Sequence, residues 1–194
     1  MNNGTVTPWP SSPFLAEVEA ESGQRIKACY QCGKCSAGCP AAYVMDWTPR
    51  QVMRAVQLGL KEEALSSSGI WLCLYCHTCS IRCPREIDVA GVMASLRSLA
   101  LAEKIRPAVP QVFRFHQVFG QMVRRFGRLY ELGLGTMYNI RSRSLTNGRL
   151  VPLALARGKL PLLPRSIKGQ AEVRAIFDRV AALEANAGGQ AQGP

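Results

Sequence analysis

Eight cysteines carry the chemistry of this chain, and they fall in two copies of one pattern. Cys29, Cys32, Cys35 and Cys39 are followed by Pro40, and Cys73, Cys76, Cys79 and Cys83 are followed by Pro84. Each copy reads C-x2-C-x2-C-x3-C-P, the spacing of a protein that holds two [4Fe–4S] clusters. A cubane needs four thiolates around a compact object. Three cysteines at x2 spacing can wrap one side of it, and the fourth comes from a distance; in two-cluster ferredoxins it comes from the other motif. The expected ligand sets are Cys29, Cys32, Cys35 and Cys83 for one cluster, and Cys73, Cys76, Cys79 and Cys39 for the other. This exchange would crosslink the two halves and bring the clusters close enough for electron hopping. Pro40 and Pro84 fix φ and lack an N–H, which stops a helix from running back through the cluster loop. Gly33 and Gly38 suit a backbone that must approach sulfide closely.

No cysteine is left for a disulfide, a zinc site or a nucleophile. Zinc would use paired C-x2-C with four ligands per site, and it gives no reason for the third x2 step or the repeated x3-C-P ending. A disulfide scaffold would need an oxidising compartment and a secretory signal. Met1 to Pro13 shows neither a charged n-region nor an apolar h-region. No residue is assigned catalysis. His77, inside the second cluster loop, reads as a solvated loop residue, and His116 as a structural one. Tyr30, Trp71 and Tyr75 adjoin cluster cysteines and read as hydrophobic shielding.

At 194 residues the chain is one domain or a small domain with an appendage. No apolar run approaches the ~18 residues of a membrane span, and reduced thiols with clusters point to a soluble, cytoplasmic protein. The formal charge is +11, and it is uneven. Residues 104–179 hold fifteen Lys and Arg against Glu131, Glu172 and Asp178, a net +12. The bland reading is a solvated face. Because the same segment is rich in Leu, Phe and Pro, a protein interface is the favoured one, over nucleic acid.

The elements that must position the cysteines follow from caps and periodicity. Residues 1–22, with Pro8, Pro10 and Pro13, read as a flexible N-terminal arm from which Trp9 and Phe14 could dock. Thr48-Pro49-Arg50-Gln51 is a capping-box helix start, and Val52, Met53, Val56, Leu60 and Ala64 recur at helical spacing until Ser66–Gly69. Asp88 caps a second helix carrying Val92, Met93, Leu96, Leu99 and Ala100. Helices beside both motifs, with little period-2 alternation, predict an all-α helical ferredoxin domain over residues 23–105 with a helical and irregular C-terminal extension. A third helix is predicted over about 108–131, with an apolar seam of Val112, Phe115, Phe119, Met122, Phe126 and Leu129. Residues 132–169 read as an irregular strap, too long for an ordinary loop. A short helix at about 170–184 follows, with Val173, Ile176, Phe177 and Val180 on one face. The basic docking extension is thus 106–184, and 185–194 is expected to be disordered.

At this point the chain resembles the C subunits of the heterodisulfide reductase family. The resemblance rests on the paired motifs Cys29–Pro40 and Cys73–Pro84 in a helical context. It extends to Gly127-Arg128-Leu129-Tyr130-Glu131 after the aromatic helix, and to Gly158-Lys159-Leu160-Pro161-Leu162-Leu163-Pro164 before the final one. It implies a relay in a hetero-oligomer. The flavin- and iron–sulfur-containing A subunit feeds electrons to the C subunit, which passes them to the disulfide-reducing B subunit. All eight cysteines match the family's cluster ligands. The chain lacks the repeated Cys-Cys-Gly motifs associated with the B subunit, so disulfide chemistry would lie on the partner. Two alternatives stand beside this. One is the iron–sulfur subunit of a succinate dehydrogenase type of oxidoreductase, which would normally bring further cysteines in a [2Fe–2S] domain. The other is a stand-alone dicluster ferredoxin, which would not need ninety basic, apolar residues after its clusters.

Overall fold

The computed structural model describes residues 12–142, 150–158 and 160–190. Every regular element among them is a helix, in agreement with the all-α reading. The chain divides into two compact units, Met1–Pro110 and Gln111–Pro194.

The first unit holds all eight cysteines. Among the described residues it begins with α1 (Pro13–Ser22), which corrects the expected arm over 13–22; residues 1–11 lie outside the described residues. Ser12 Oγ accepts from the Leu15 N–H at 3.0 Å, Pro13 takes the first helical position, where its missing N–H costs nothing, and Gly23 at φ 65° ends the helix. Phe14, Leu15 and Val18 are buried where α1 packs on α3 (Pro49–Leu58) and α7 (Val89–Ala102). Burying a side chain such as Leu15 stabilises the fold by roughly 1.5–3 kcal/mol. Trp9 lies outside the described residues, and Phe14 docks on the chain's own core.

The helix expected from Thr48 to Ser66 is two helices. In α3, Gln51 Oε1 accepts from the Thr48 N–H at 2.9 Å, as the capping box requires. Gly59 then breaks the run at φ 75°, and α4 (Lys61–Ser66) leaves in a new direction. A Cβ on Gly59 would meet Ser12, so the break also seats the start of α1. Lys61 ties three helices together by pairing with Glu17 of α1 at 3.1 Å and with Glu103, just past α7. Val52, Met53, Val56, Leu65, Ile70, Val92, Met93 and Leu96 fill the space between α3, α4, α7 and α5 (Ser68–Leu72).

One carboxylate fastens the stretch after Cys39 to the helix that leads to Cys73. Asp46 accepts from the Ser67 hydroxyl at 2.8 Å, the Ser68 N–H at 2.8 Å and the Gly69 N–H at 3.1 Å, so it satisfies the free donors at the start of α5. Partial burial works to raise its pKa, but the hydrogen bonds from Ser68, Ser67 and Trp47 outweigh this and hold it down to about 2. A depressed carboxylate contributes stability that is complete above the unfolded value of about 3.9 and is lost as pH falls toward the folded one. Asp46→Asn should therefore cost on the order of 1 kcal/mol at pH 7, discounted because the side chain is partly solvated. In urea unfolding followed by circular dichroism, the gap between wild type and variant should narrow from pH 6 to pH 3. A constant gap over that range would contradict the assignment.

The second unit is led by α8 (Pro110–Phe126). Its buried residues are Val118 and Met122. The expected seam is thus only partly inward: Phe115 and Phe119 are each 40% exposed, and Phe115 makes an edge contact with Tyr138 at 5.9 Å. Gly127 ends α8 at φ 72°. The strap expected over 132–169 contains α9 (Glu131–Ser142) and α10 (Leu150–Ala156); 143–149 and 159 lie outside the described residues. Glycines at 133 and 135 are carried inside α9, and Pro152 sits in the first turn of α10, where a proline is tolerated. The last helix, α11 (Gln170–Gln190), runs further than the expected 170–184 and covers part of the segment expected to be disordered; 191–194 lie outside the described residues. Arg124 pairs with Asp178 at 2.6 Å and the Tyr130 hydroxyl donates to the Leu162 carbonyl at 2.7 Å, holding α11 and the preceding loop against α8.

Candidate metal centres

The two cysteine motifs fold as near copies of each other. Each starts where a helix ends: Cys29 closes a 3-10 turn (Ile26–Ala28) and Cys73 closes α5. Two left-handed residues follow in each, Gln31 (φ 64°) and Gly33 (φ 84°) in the first, Tyr75 (φ 53°) and His77 (φ 58°) in the second. These reversals turn the chain around a hollow. The third cysteine then rides on a one-turn helix, Cys35 on α2 (Lys34–Ala37) and Cys79 on α6 (Thr78–Ile81). The fourth lies just past it, its N–H bonded to the carbonyl three residues back, Cys39 to Ser36 and Cys83 to Ser80, both at 3.1 Å. The following proline cannot continue the helix.

Packing of α2 against α6 crosses these fourth cysteines over. Cys29, Cys32, Cys35 and Cys83 line one cavity. Cys39, Cys73, Cys76 and Cys79 line another. Neither lining includes a histidine or a carboxylate, so the donor set of each is four sulfurs, which fits a cubane. Met53, Ile87 and Val89 wall the first cavity, and Met45, Ala90 and Met93 the second. Apolar walls exclude water and tune a bound cluster.

Burial also acts on the thiols. It pushes Cys79 up to about 11, and raises Cys35 and Cys73 against the opposing help of backbone donors. Arg97 favours the thiolate of Cys73. The exposed Cys76 moves down, chiefly through the Thr78 hydroxyl, 3.4 Å from its sulfur. Loading the cavities therefore releases protons that burial holds firmly.

Other expectations fare unevenly. Trp71 is buried but lines neither cysteine cavity. Tyr30 and Tyr75 are instead 60% and 48% exposed, because their positions in the loops point them outward. His77 is partly solvated, with Nδ1 3.5 Å from Asp88 Oδ1, and His116 is exposed on α8. Three residues that spacing alone does not reveal support the motifs. Gln57, inside the buried face of α3, donates through Nε2 to the carbonyls of Ile26 and Cys29. Gln31 bonds Gln57 in turn. Ser80, next to Cys79, donates to Asp88 and accepts from the Ala90 N–H, which locks α6 to the start of α7. The one signal in the sequence is a polar residue, Gln57, on an otherwise apolar helix face.

Fold and site together define a helical dicluster ferredoxin-type protein. The family described as a 4Fe-4S dicluster domain matches residues 28–88, the segment that contains all eight cysteines, and the cofactors are two [4Fe–4S] clusters. The chain is 30% identical over 125 residues to the C subunit of the H(2):CoB-CoM heterodisulfide,ferredoxin reductase of Methanothermobacter thermautotrophicus, covering 64% of each chain. It is 39% identical over 88 residues to the iron-sulfur C subunit of the CoB–CoM heterodisulfide reductase of Methanopyrus kandleri, covering 45% of this chain and 44% of that one. It is 44% identical over 102 residues to the C subunit of the ferredoxin:CoB-CoM heterodisulfide reductase of Methanosarcina acetivorans, covering 50% and 41%. The chain thus spans between two fifths and just under two thirds of the length of these relatives. Over this stretch it is similar to heterodisulfide reductase C subunits.

Proposed function

We propose that this chain is the electron-transfer subunit of a heterodisulfide-reductase-type complex, working between a flavin- and iron–sulfur-containing A subunit and a disulfide-reducing B subunit. The observation that carries the reading is the sorting of eight thiols into two all-sulfur cavities, each with three cysteines from one motif and the fourth from the other. The proposed ligand sets are accordingly Cys29, Cys32, Cys35 with Cys83, and Cys73, Cys76, Cys79 with Cys39. When bound, such clusters take up and release single electrons. The protein's own part is to hold them by thiolate, keep water from their inner sides, and leave Cys32 and Cys76 at the surface, where a partner can approach. Every thiol has a ligand's role in this scheme, so cleavage of a disulfide substrate falls to the partner.

The docking role belongs to residues 106–184. Supporting it, the second unit leaves large apolar side chains in solvent, among them Ile140, Leu162, Leu163, Ile176, Val180 and Leu183, within a strongly basic segment. Such a mixture suits an interface in which charge steers encounter and apolar contact holds it. Among the described residues, no helix is long and apolar enough to cross a membrane. Native affinity purification with identification of the companion chains tests the proposal. Co-purification of a flavoprotein and a cysteine-rich, disulfide-reducing chain is expected. A purified protein that runs as a lone monomer, with no companions, would contradict it and favour a free ferredoxin.

A further inference from the structure

The two motifs share a backbone but not the side chains on it. Gln31 and Tyr75 occupy the same station, two residues after the first cysteine, both at positive φ. In the first motif Gln31 Nε2 lies 3.5 Å from Cys29 Sγ and 3.3 Å from Gln57 Oε1. Gln57 is only 7% exposed, and its Nε2 donates to the carbonyls of Ile26 at 3.1 Å and Cys29 at 2.7 Å. With its amine turned to two carbonyls, Gln57 must aim its oxygen at Gln31. Gln31 must then answer with its own amine, so the network dictates both amide orientations. One Gln31 hydrogen serves Gln57, and the second is directed at the Cys29 sulfur. The Gln31 Oε1 is buried without a hydrogen-bond partner, a cost that the opposite orientation would not relieve, since it would set two oxygens face to face. At the matching station Tyr75 has no N–H on its side chain to offer Cys73, and its ring instead contacts His77 edge-on at 4.4 Å.

We propose that Gln31 sets the reduction potential of the first centre by donating its side-chain N–H to the Cys29 thiolate, and that Gln57 is the positioning residue that aims it. This rests on the ligand sets proposed above. Reduction adds negative charge to the cluster and its sulfur ligands, and hydrogen bonds to those sulfurs are among the determinants of potential. A donor on Cys29 stabilises the more negative, reduced state and makes the first centre easier to reduce than the same four cysteines alone. The second centre has no side-chain amide at that station; its Cys73 meets the Tyr75 backbone N–H and its Cys76 lies 3.4 Å from the Thr78 hydroxyl.

The test is a potentiometric titration of the anaerobically purified holoprotein, followed by EPR, with iron and sulfide measured on the same samples. Gln31→Leu should leave about eight iron per chain and make one of the two centres roughly tenfold harder to reduce, about 59 mV for a one-electron couple. The other centre should not move, and Gln57→Leu should shift the same centre in the same direction. Full iron content with both potentials unmoved in Gln31→Leu overturns this inference and leaves the ligand sets standing. Wild-type protein without two cubanes overturns both. If Gln31→Leu cannot hold its first cluster, wild type decides. With glutamine labelled with ¹⁵N at the side-chain amide, pulsed EPR of the reduced protein should show nitrogen coupling to one centre, and no coupling overturns the inference.

Discussion

Cys39→Ala is expected to empty the cavity of the other motif. Iron should fall from about eight to about four per chain, and one of two cubane EPR signals should vanish. The lost cluster should be the one facing Cys73, Cys76 and Cys79, because Cys39 lines that cavity and not the one lined by its sequence neighbours. Double variants make the test independent of signal assignment. Adding Cys76→Ala to Cys39→Ala should remove little more iron, since both residues serve one cluster. Adding Cys32→Ala should remove the rest. Removing a ligand from a four-thiolate site takes away a share of the binding free energy that cannot be replaced by the apolar walls, so the effect is a loss and not a partial weakening. If the Cys39 and Cys32 changes remove the same iron, the exchange of fourth ligands is wrong.

The second large effect is expected from truncation after Pro110. The two compact units meet in the chain at that residue, all eight cysteines precede it, and the Lys61–Glu103 and Lys61–Glu17 pairs that fasten α1, α4 and α7 remain. The truncated chain should keep about eight iron and lose its partners in a pull-down. Leu163 is 77% exposed, Ile140 71% and Leu183 68%, apolar side chains that a partner could cover. Charge is screened beyond about 8 Å at physiological salt, so raising salt should slow association of the intact chain while leaving an assembled complex intact. Retention of the partner by the truncated chain would contradict the docking role. Loss of the clusters would show that the second unit chiefly supports the first.

The centres are legible from sequence because ligand spacing is a short-range code: three cysteines at x2 and a fourth before proline dictate a loop wherever they stand. The starts of α3 and α7 are legible for the same reason, since Thr48, Gln51 and Asp88 act within one turn. The rest depends on longer-range packing. Pro13 follows Pro8 and Pro10 and so suggests an extended arm, although Ser12-Pro13 is also a helix start; only the fit of Leu15 and Val18 against α3 and α7 decides it. Gly133, Gly135 and Pro152 suggest breaks in the chain, yet α9 and α10 carry them. Val118, buried on α8, lies outside the heptad-like seam that picks out Phe115 and Phe119. Gln57 bonds carbonyls 31 and 28 residues away, a pairing that no local pattern encodes.

The central claim is that eight thiols hold two cubanes. It is tested most directly by metal and labile-sulfide analysis of the anaerobically purified protein, with EPR after reduction. About eight iron and eight sulfide per chain, no zinc, and two cubane signals are predicted. Stoichiometric zinc with no cubane signal would contradict it.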